Sequence, residues 1–129
     1  MGASGSIQYN PDKTIYLSYD NTCKLNYTEC VQNLTKKSYT ILENNVDNIL
    51  LSKYVIVFIS NNTITSAKQC RDIHISIENN KKIIYFITDE DYLPEKNTAI
   101  STFISGNVYY PFYNNDTAMA TIALLSSII

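Results

Sequence analysis

The sequence has little glycine and histidine, and each shortage excludes a class of site. Three glycines occur in 129 residues, and none lies in SYDNTCK, the segment after the first predicted strand. A dinucleotide-binding fold needs GxGxxG there, because glycine lets the backbone approach the pyrophosphate, and a P-loop is absent as well. The single histidine, His74, follows Cys70 by four residues. That spacing is more typical of a packed helix face than of a catalytic pair.

Cysteine, positive charge and long apolar runs are also scarce. The three cysteines, Cys23, Cys30 and Cys70, include no CxxC spacing, so we predict unpaired thiols in a reducing compartment. The net charge of −2 lacks the basic footprint that nucleic-acid binding needs. No apolar run approaches the roughly 20 residues that span a bilayer. These features predict a cytoplasmic globular protein that binds no nucleic acid.

The first residues, MGASGS, carry the only indication of a membrane contact. Gly2 with a serine at position 6 fits the N-myristoylation pattern, and the Gly/Ser composition fits a flexible tail equally well. One acyl chain without a polybasic patch would give only weak membrane attachment. We expect a flexible tail over residues 1–12 and a single domain over residues 13–129, since the length suits one domain.

The rest of the chain alternates between predicted strands and predicted helices. The apolar run YVIVFIS lacks a two-residue alternation, as is typical of a central parallel strand covered on both faces. The alternation predicts an α/β fold, a flavodoxin-like three-layer sandwich with a five-stranded parallel sheet. The predicted strands are residues 14–20, 38–43, 54–60, 81–89 and 108–113; the predicted helices are residues 25–37 and 46–53, one through DIHISIENN (72–80), and 116–129.

Polar residues collect where the first and third strands end. Open parallel sheets bind ligands outside the carboxyl ends of their strands, and the helix with Asp72 follows strand three, so its first turns should approach this rim. Asp72 has two interpretations. A carboxylate there can orient a ribose and stabilise positive charge at its anomeric carbon; the simpler interpretation is an exposed helix acid. The predicted ligand-binding residues are Ser18, Tyr19, Asp20, Ser60 and Asn61; no metal or cofactor is predicted.

Three segments carry a resemblance to Toll/interleukin receptor (TIR) domains. TIYLSYD resembles their opening strand, with its Ser-Tyr pair at Ser18-Tyr19. ILLSKYVIVFIS is similar to their second helix and third strand, and SAKQCRDIHISIENNKKIIYFI to their third helix and fourth strand. The motifs are short, and the resemblance covers the chain from Thr14 to Ile129. It implies the same flavodoxin-like fold.

The resemblance also implies function. Many TIR domains signal by self-association or by binding other TIR domains, and others cleave NAD⁺ with a glutamate on the third helix. In one register Asp72 takes the place of that glutamate, and in a register anchored on Cys70 the place falls to Ile73. Either way the glutamate is missing, and the loop after strand two shrinks to about Asn44-Asn45. Both departures weaken the expectation of NAD⁺ cleavage.

The favoured hypothesis is a TIR-like domain in intracellular immune or stress signalling. It would act by protein interaction or by binding a nucleotide, with weak or no NAD⁺ cleavage. The first alternative is an active NAD⁺ nucleosidase or cyclase that uses Asp72. The second is an enzyme similar to nucleoside deoxyribosyltransferases, which share the architecture and a helix glutamate.

Overall fold

The structure is a computed structural model that describes residues 10–19, 31–61, 63, 66–89, 109–112 and 114–128. The strands are β1 (Thr14–Ser18), β2 (Thr40–Leu42), β3 (Tyr54–Ile59), β4 (Lys82–Ile87) and β5 (Tyr109–Pro111). The helices are α1 (31–36), α2 (Asp47–Leu50), α3 (Ala67–Glu78) and α4 (Asn115–Ile128). The end of the predicted tail enters a 3-10 helix, Pro11–Lys13. Within the described ranges, no helix is long and apolar enough to cross a membrane.

The five strands form one sheet in the order β2-β1-β3-β4-β5, and every neighbouring pair is parallel. This confirms the predicted α/β sandwich with a five-stranded parallel sheet. β3 is central and all its residues are buried, as its unbroken apolar run indicated. Pro111 lies in the edge strand β5, where a residue without an N–H group disrupts no ladder.

The sheet separates two apolar cores, one on each face. Because side chains alternate along a strand, Ile15 and Leu17 of β1 join one core while Tyr16 joins the other. The first core also holds residues of α1 and α4, and the second holds Ile49 of α2 and Ile73 of α3. Helices therefore cover both faces of the sheet, and α2 and α3 lie on the side that Tyr16 faces.

Both ends of α3 are set by local sequence. Ser66 is the N-cap, and its side chain accepts a hydrogen bond from the backbone N–H of Gln69. At the other end Asn80 has φ of 55°, and the N–H of Lys81 donates to the carbonyl of Ser76 at 3.0 Å. This is a Schellman termination, with asparagine in the left-handed position. The helix starts at Ala67, so Asp72 lies in its second turn and not at its front.

Candidate functional site

The buried stripe of α3 is mostly polar. Its buried residues are Gln69, Asp72, Ile73 and Ser76, the 3–4 residue spacing of one helix face. Ile73 and Ile77 lie one helical turn apart, a spacing that is compatible with one buried stripe, but Ile77 is 42% exposed. The helix is rotated so that Asp72, rather than Ile77, faces the sheet. The interpretation of Asp72 as an exposed helix acid is therefore wrong.

Asp72 is held against the carboxyl end of β1. Its side chain is completely buried, and its Oδ2 atom accepts a 2.8 Å hydrogen bond from the hydroxyl of Ser18. Tyr16 and Ser18 lie two residues apart on β1 and so share the face toward α3. Burial first, and then the Asp72 carboxylate, raise the pKa of Tyr16. The structure thus brings together two predicted site residues, Ser18 and Asp72, and adds Tyr16.

Lys68 is the counter-ion of Asp72. Its Nζ atom lies 3.6 Å from Asp72 Oδ2, one helical turn away, and 5.2 Å from the centre of the Tyr19 ring. The hydroxyl of Tyr19 donates to Glu43 Oε1 at 3.1 Å, and burial followed by the Glu43 carboxylate raises the Tyr19 pKa. Lys68 therefore lies between a buried carboxylate and a tyrosine ring that is itself anchored by an acid.

The side-chain amide of Gln69 connects α3 to the carboxyl ends of β1 and β3. Its Nε2 atom donates to the carbonyl of Phe58 at 2.7 Å and to the carbonyl of Ser18 at 3.2 Å. These carbonyls lie at the ends of β3 and β1, which are neighbours in the sheet. One side-chain amide thus joins both strand ends to α3. Gln69 was not among the predicted site residues, although its position three residues before Asp72 indicates a shared helix face.

Four buried side-chain atoms of the described residues have no hydrogen-bond partner, and all belong to this cluster. They are Tyr16 Oη, Lys68 Nζ, Gln69 Oε1 and Asp72 Oδ1. An unsatisfied buried polar atom costs about 1–3 kcal/mol, more if charged. Such atoms are rare in folded proteins and call for a specific explanation. Their concentration between β1 and α3 marks this region as the candidate site.

The other predicted rim residues have different partners. The backbone N–H of Ser60 donates to Thr63 Oγ1 at 2.8 Å, and that of Asn61 donates to Asp89 Oδ2 at 2.7 Å. Asp89 follows β4, so these contacts organise the β3–β4 side of the rim. Asp20 lies outside the described residues, as do Gly2, Cys23 and Cys30.

Cys70 and His74 have separate contacts. The Cys70 thiol is free of any disulfide and donates to the carbonyl of Thr63 at 3.6 Å, and burial raises its pKa. His74 is exposed, with its Nε2 atom 2.9 Å from Glu78 Oε1. In the described part of the chain, no group of three or more His, Cys, Asp or Glu residues is placed to hold a metal.

No protein-family model matches the sequence, and no curated protein matches it. Among solved structures, the chain is similar to the TIR domains in the activated Roq1 resistosome directly recognising the pathogen effector XopQ. The TM-score is 0.67 at 14% sequence identity, over 93% of this chain and 100% of that chain. Identity this low establishes a fold and not an activity. The chain has the TIR-like, flavodoxin-like fold that its strand and helix segments resemble.

Proposed function

We propose that this chain is a TIR-like signalling domain that acts by protein interaction or nucleotide binding, with weak or no NAD⁺ cleavage. The shared fold with the Roq1 TIR domains supports a role in immune or stress signalling. Those domains belong to an activated resistosome, which supports contacts between TIR domains as the mode of action. The observation that carries the weak-turnover part is the complete burial of Asp72.

Cleavage of the nicotinamide–ribose bond needs a carboxylate that reaches the substrate. Such a group must stabilise the positive charge that develops at the anomeric carbon. Here Asp72 Oδ2 already accepts from Ser18 and pairs with Lys68. An aspartate is also one methylene shorter than the family glutamate, and a displacement of about 1 Å can cost on the order of a hundredfold in rate. Both effects oppose turnover.

The deciding experiment measures nicotinamide release from NAD⁺ over a wide concentration range. Wild type, Asp72→Asn and Asp72→Glu are compared, with Asp47→Asn as an exposed-acid control. We expect wild-type release no higher than that of Asp72→Asn. Sustained release that disappears in Asp72→Asn and rises in Asp72→Glu would establish the enzyme alternative instead. Sustained release that persists in Asp72→Asn would contradict both the proposed weak turnover and catalysis by Asp72. Another acid would then have to be catalytic, and Asp20 would be the first candidate.

A second measurement addresses the mode of action. Sedimentation analysis with and without NAD⁺ reports self-association, and NMR titration with NAD⁺ reports binding without turnover. We expect at least one of these to be positive for the wild-type protein. A protein that stays monomeric, binds no nucleotide and joins no other TIR domain would refute the proposal.

One observation favours the enzyme alternative specifically. Asp72 Oδ1 has no hydrogen-bond partner, although the atom is buried. A carboxylate with one oxygen held and the other unpaired can accept a substrate hydroxyl once the site opens. An active NAD⁺ nucleosidase that uses Asp72 is therefore the second candidate function.

A further inference from the structure

We propose that the Asp72 cluster is a binding site for organic monocations and that the ammonium group of Lys68 is its built-in occupant. A ligand with a positively charged group would displace Lys68 to reach Asp72. This inference rests on the proposed function only in placing the ligand at Asp72. Beyond that function, the ligand is a cation and Lys68 competes with it for the site.

The first support is the charge of the cluster. The Asp72 carboxylate is fully buried, and among the described residues Lys68 is the one cation that forms an ion pair with it. A buried carboxylate without a counter-ion is costly, so this position selects for a positive group. The Oδ1 atom of Asp72 has no hydrogen-bond partner, so the carboxylate can still accept a hydrogen bond from a cationic donor. The Asp72 side chain therefore forms the acceptor end of a cation site.

The second support is the aromatic surface beside that carboxylate. The Lys68 ammonium lies 5.2 Å from the centre of the Tyr19 ring, within the range at which a ring face attracts a cation. The Tyr19 hydroxyl donates to Glu43, which fixes the ring and adds negative charge at its far end. A carboxylate on one side and a tyrosine face on the other suit a compact organic cation.

The third support is that Lys68 is held loosely. The distance from Nζ to Asp72 Oδ2 is 3.6 Å, and Nζ has no hydrogen-bond partner although the atom is buried. The side chain as a whole is 33% exposed, so its stem already reaches solvent. Rotation about its own side-chain bonds would return the ammonium to water, where hydration replaces the weak pairing. Lys68 therefore occupies the site but can be displaced from it.

The test uses a probe that reproduces the removed group. Lys68→Ala deletes the side chain beyond Cβ, and n-propylammonium has the same atoms and charge as the deleted part. We expect an NMR titration to show that Lys68→Ala binds n-propylammonium at least about thirtyfold more tightly than wild type, the effect of removing about 2 kcal/mol of competition. Neutral 1-propanol should show no such gain. Lys68→Met, which keeps a long stem without the charge, should bind the probe less well than Lys68→Ala.

Lys53 supplies a matched control. Its ammonium also pairs with a carboxylate, Asp12 at 3.3 Å, and also lies over a tyrosine ring, but the side chains of this pair are 49% and 72% exposed. Lys53→Ala should therefore gain no affinity for n-propylammonium. The double variant Lys68→Ala/Asp72→Asn should lose the gain. Three outcomes would overturn the inference. The first is equal affinity for the probe in wild type and Lys68→Ala, and the second is an equal gain in Lys53→Ala. The third is a gain that persists when Asp72→Asn is added to Lys68→Ala.

If Lys68→Ala does not fold alone, circular dichroism should show folding as n-propylammonium is added and none as 1-propanol is added. A protein that stays unfolded under both conditions would overturn the inference. NAD⁺ turnover is not part of any of these readouts. Robust turnover would overturn the proposed function and leave the cation site intact, whereas equal probe binding would overturn the cation site alone.

Discussion

The hydroxyl of Ser18 donates a 2.8 Å hydrogen bond to Oδ2 of Asp72, across 54 positions of sequence. Ser18 ends β1, and Asp72 lies in the second turn of α3, so the bond joins the sheet rim to the helix that covers it. Bonds to charged acceptors are stronger than neutral ones. This contact both orients the Asp72 carboxylate and satisfies one of its oxygens.

Removal of the Ser18 hydroxyl should destabilise the fold. Ser18→Ala is expected to lower the free energy of unfolding by about 2 kcal/mol, the range for a buried bond to a charged group. Ser52→Ala is the control, because Ser52 is equally buried but donates to a neutral carbonyl, that of Asn48. Its loss should be about 1 kcal/mol or less. Urea unfolding measures the stability of both variants. Equal losses would contradict a charged acceptor for the Ser18 hydroxyl.

The two members of the Lys68–Asp72 pair should respond unequally to substitution. Lys68→Met leaves the Asp72 charge buried without a counter-ion and is expected to cost about 2–3 kcal/mol. Asp72→Asn leaves a lysine whose partly exposed stem lets the ammonium reach water, so we expect about 1 kcal/mol. Thermal or urea unfolding at neutral pH measures both.

The control for this asymmetry is the surface pair of Lys53 and Asp12. Lys53→Met should cost no more than about 0.5 kcal/mol, as for exposed ion pairs. The double variant Lys68→Met/Asp72→Asn should regain most of the loss caused by Lys68→Met alone. If Asp72→Asn proves the more damaging of the two single changes, the ammonium of Lys68 is not free to leave the cluster.

The sheet was predictable because its strands are coded locally. β3, and β4 after Lys82, are runs of β-branched and aromatic residues, and such runs favour strands. The ends of the strands were harder to predict from the sequence. The predicted second strand began at Ser38, but Ser38 has φ of 70° and forms a turn, so β2 begins at Thr40. Side-chain composition does not reveal a positive φ at serine.

The site was only partly predictable. The rule that ligands bind at the carboxyl ends of parallel strands correctly placed Ser18 and Asp72 together. It did not give the rotation of α3, since the isoleucine spacing fits more than one buried stripe. Which stripe is buried depends on the partners across the interface, here Tyr16 and Ser18. Gln69 and Lys68 were missed because their roles exist only once that rotation is fixed.

Gln69 should be far more sensitive to charge than to loss of hydrogen bonds. Gln69→Met keeps the length of the side chain but deletes the two bonds to the Phe58 and Ser18 carbonyls, at a cost of about 2 kcal/mol. Gln69→Glu turns a carboxylate oxygen toward those carbonyls and should cost on the order of 3–5 kcal/mol. Hydrogen exchange at the ends of β1 and β3 should accelerate in both. Equal losses would show that the amide nitrogen is not the group facing the strand ends.

Buried tyrosines should make the fold sensitive to alkaline pH. Burial raises the pKa of Tyr85 from 10.0 to about 12, and burial with the Asp72 carboxylate raises the pKa of Tyr16. The folded protein thus holds these protons more tightly than the unfolded chain does. The protonated tyrosines therefore contribute fully to the free energy of unfolding below pH 10. The contribution of Tyr85 is lost as the pH rises through about 12.

The loss can be assigned by substitution. At about 1.4 kcal/mol per pKa unit, the Tyr85 shift corresponds to about 3 kcal/mol lost between pH 10 and 12. Tyr85→Phe removes the ionisable group and should flatten the decline of unfolding free energy with pH over that range, and Tyr16→Phe should flatten it further. Urea unfolding at successive pH values measures the decline, and the absorbance of ionised tyrosine reports when the groups titrate. A Tyr85→Phe protein that loses stability as steeply as wild type would place the alkaline sensitivity elsewhere.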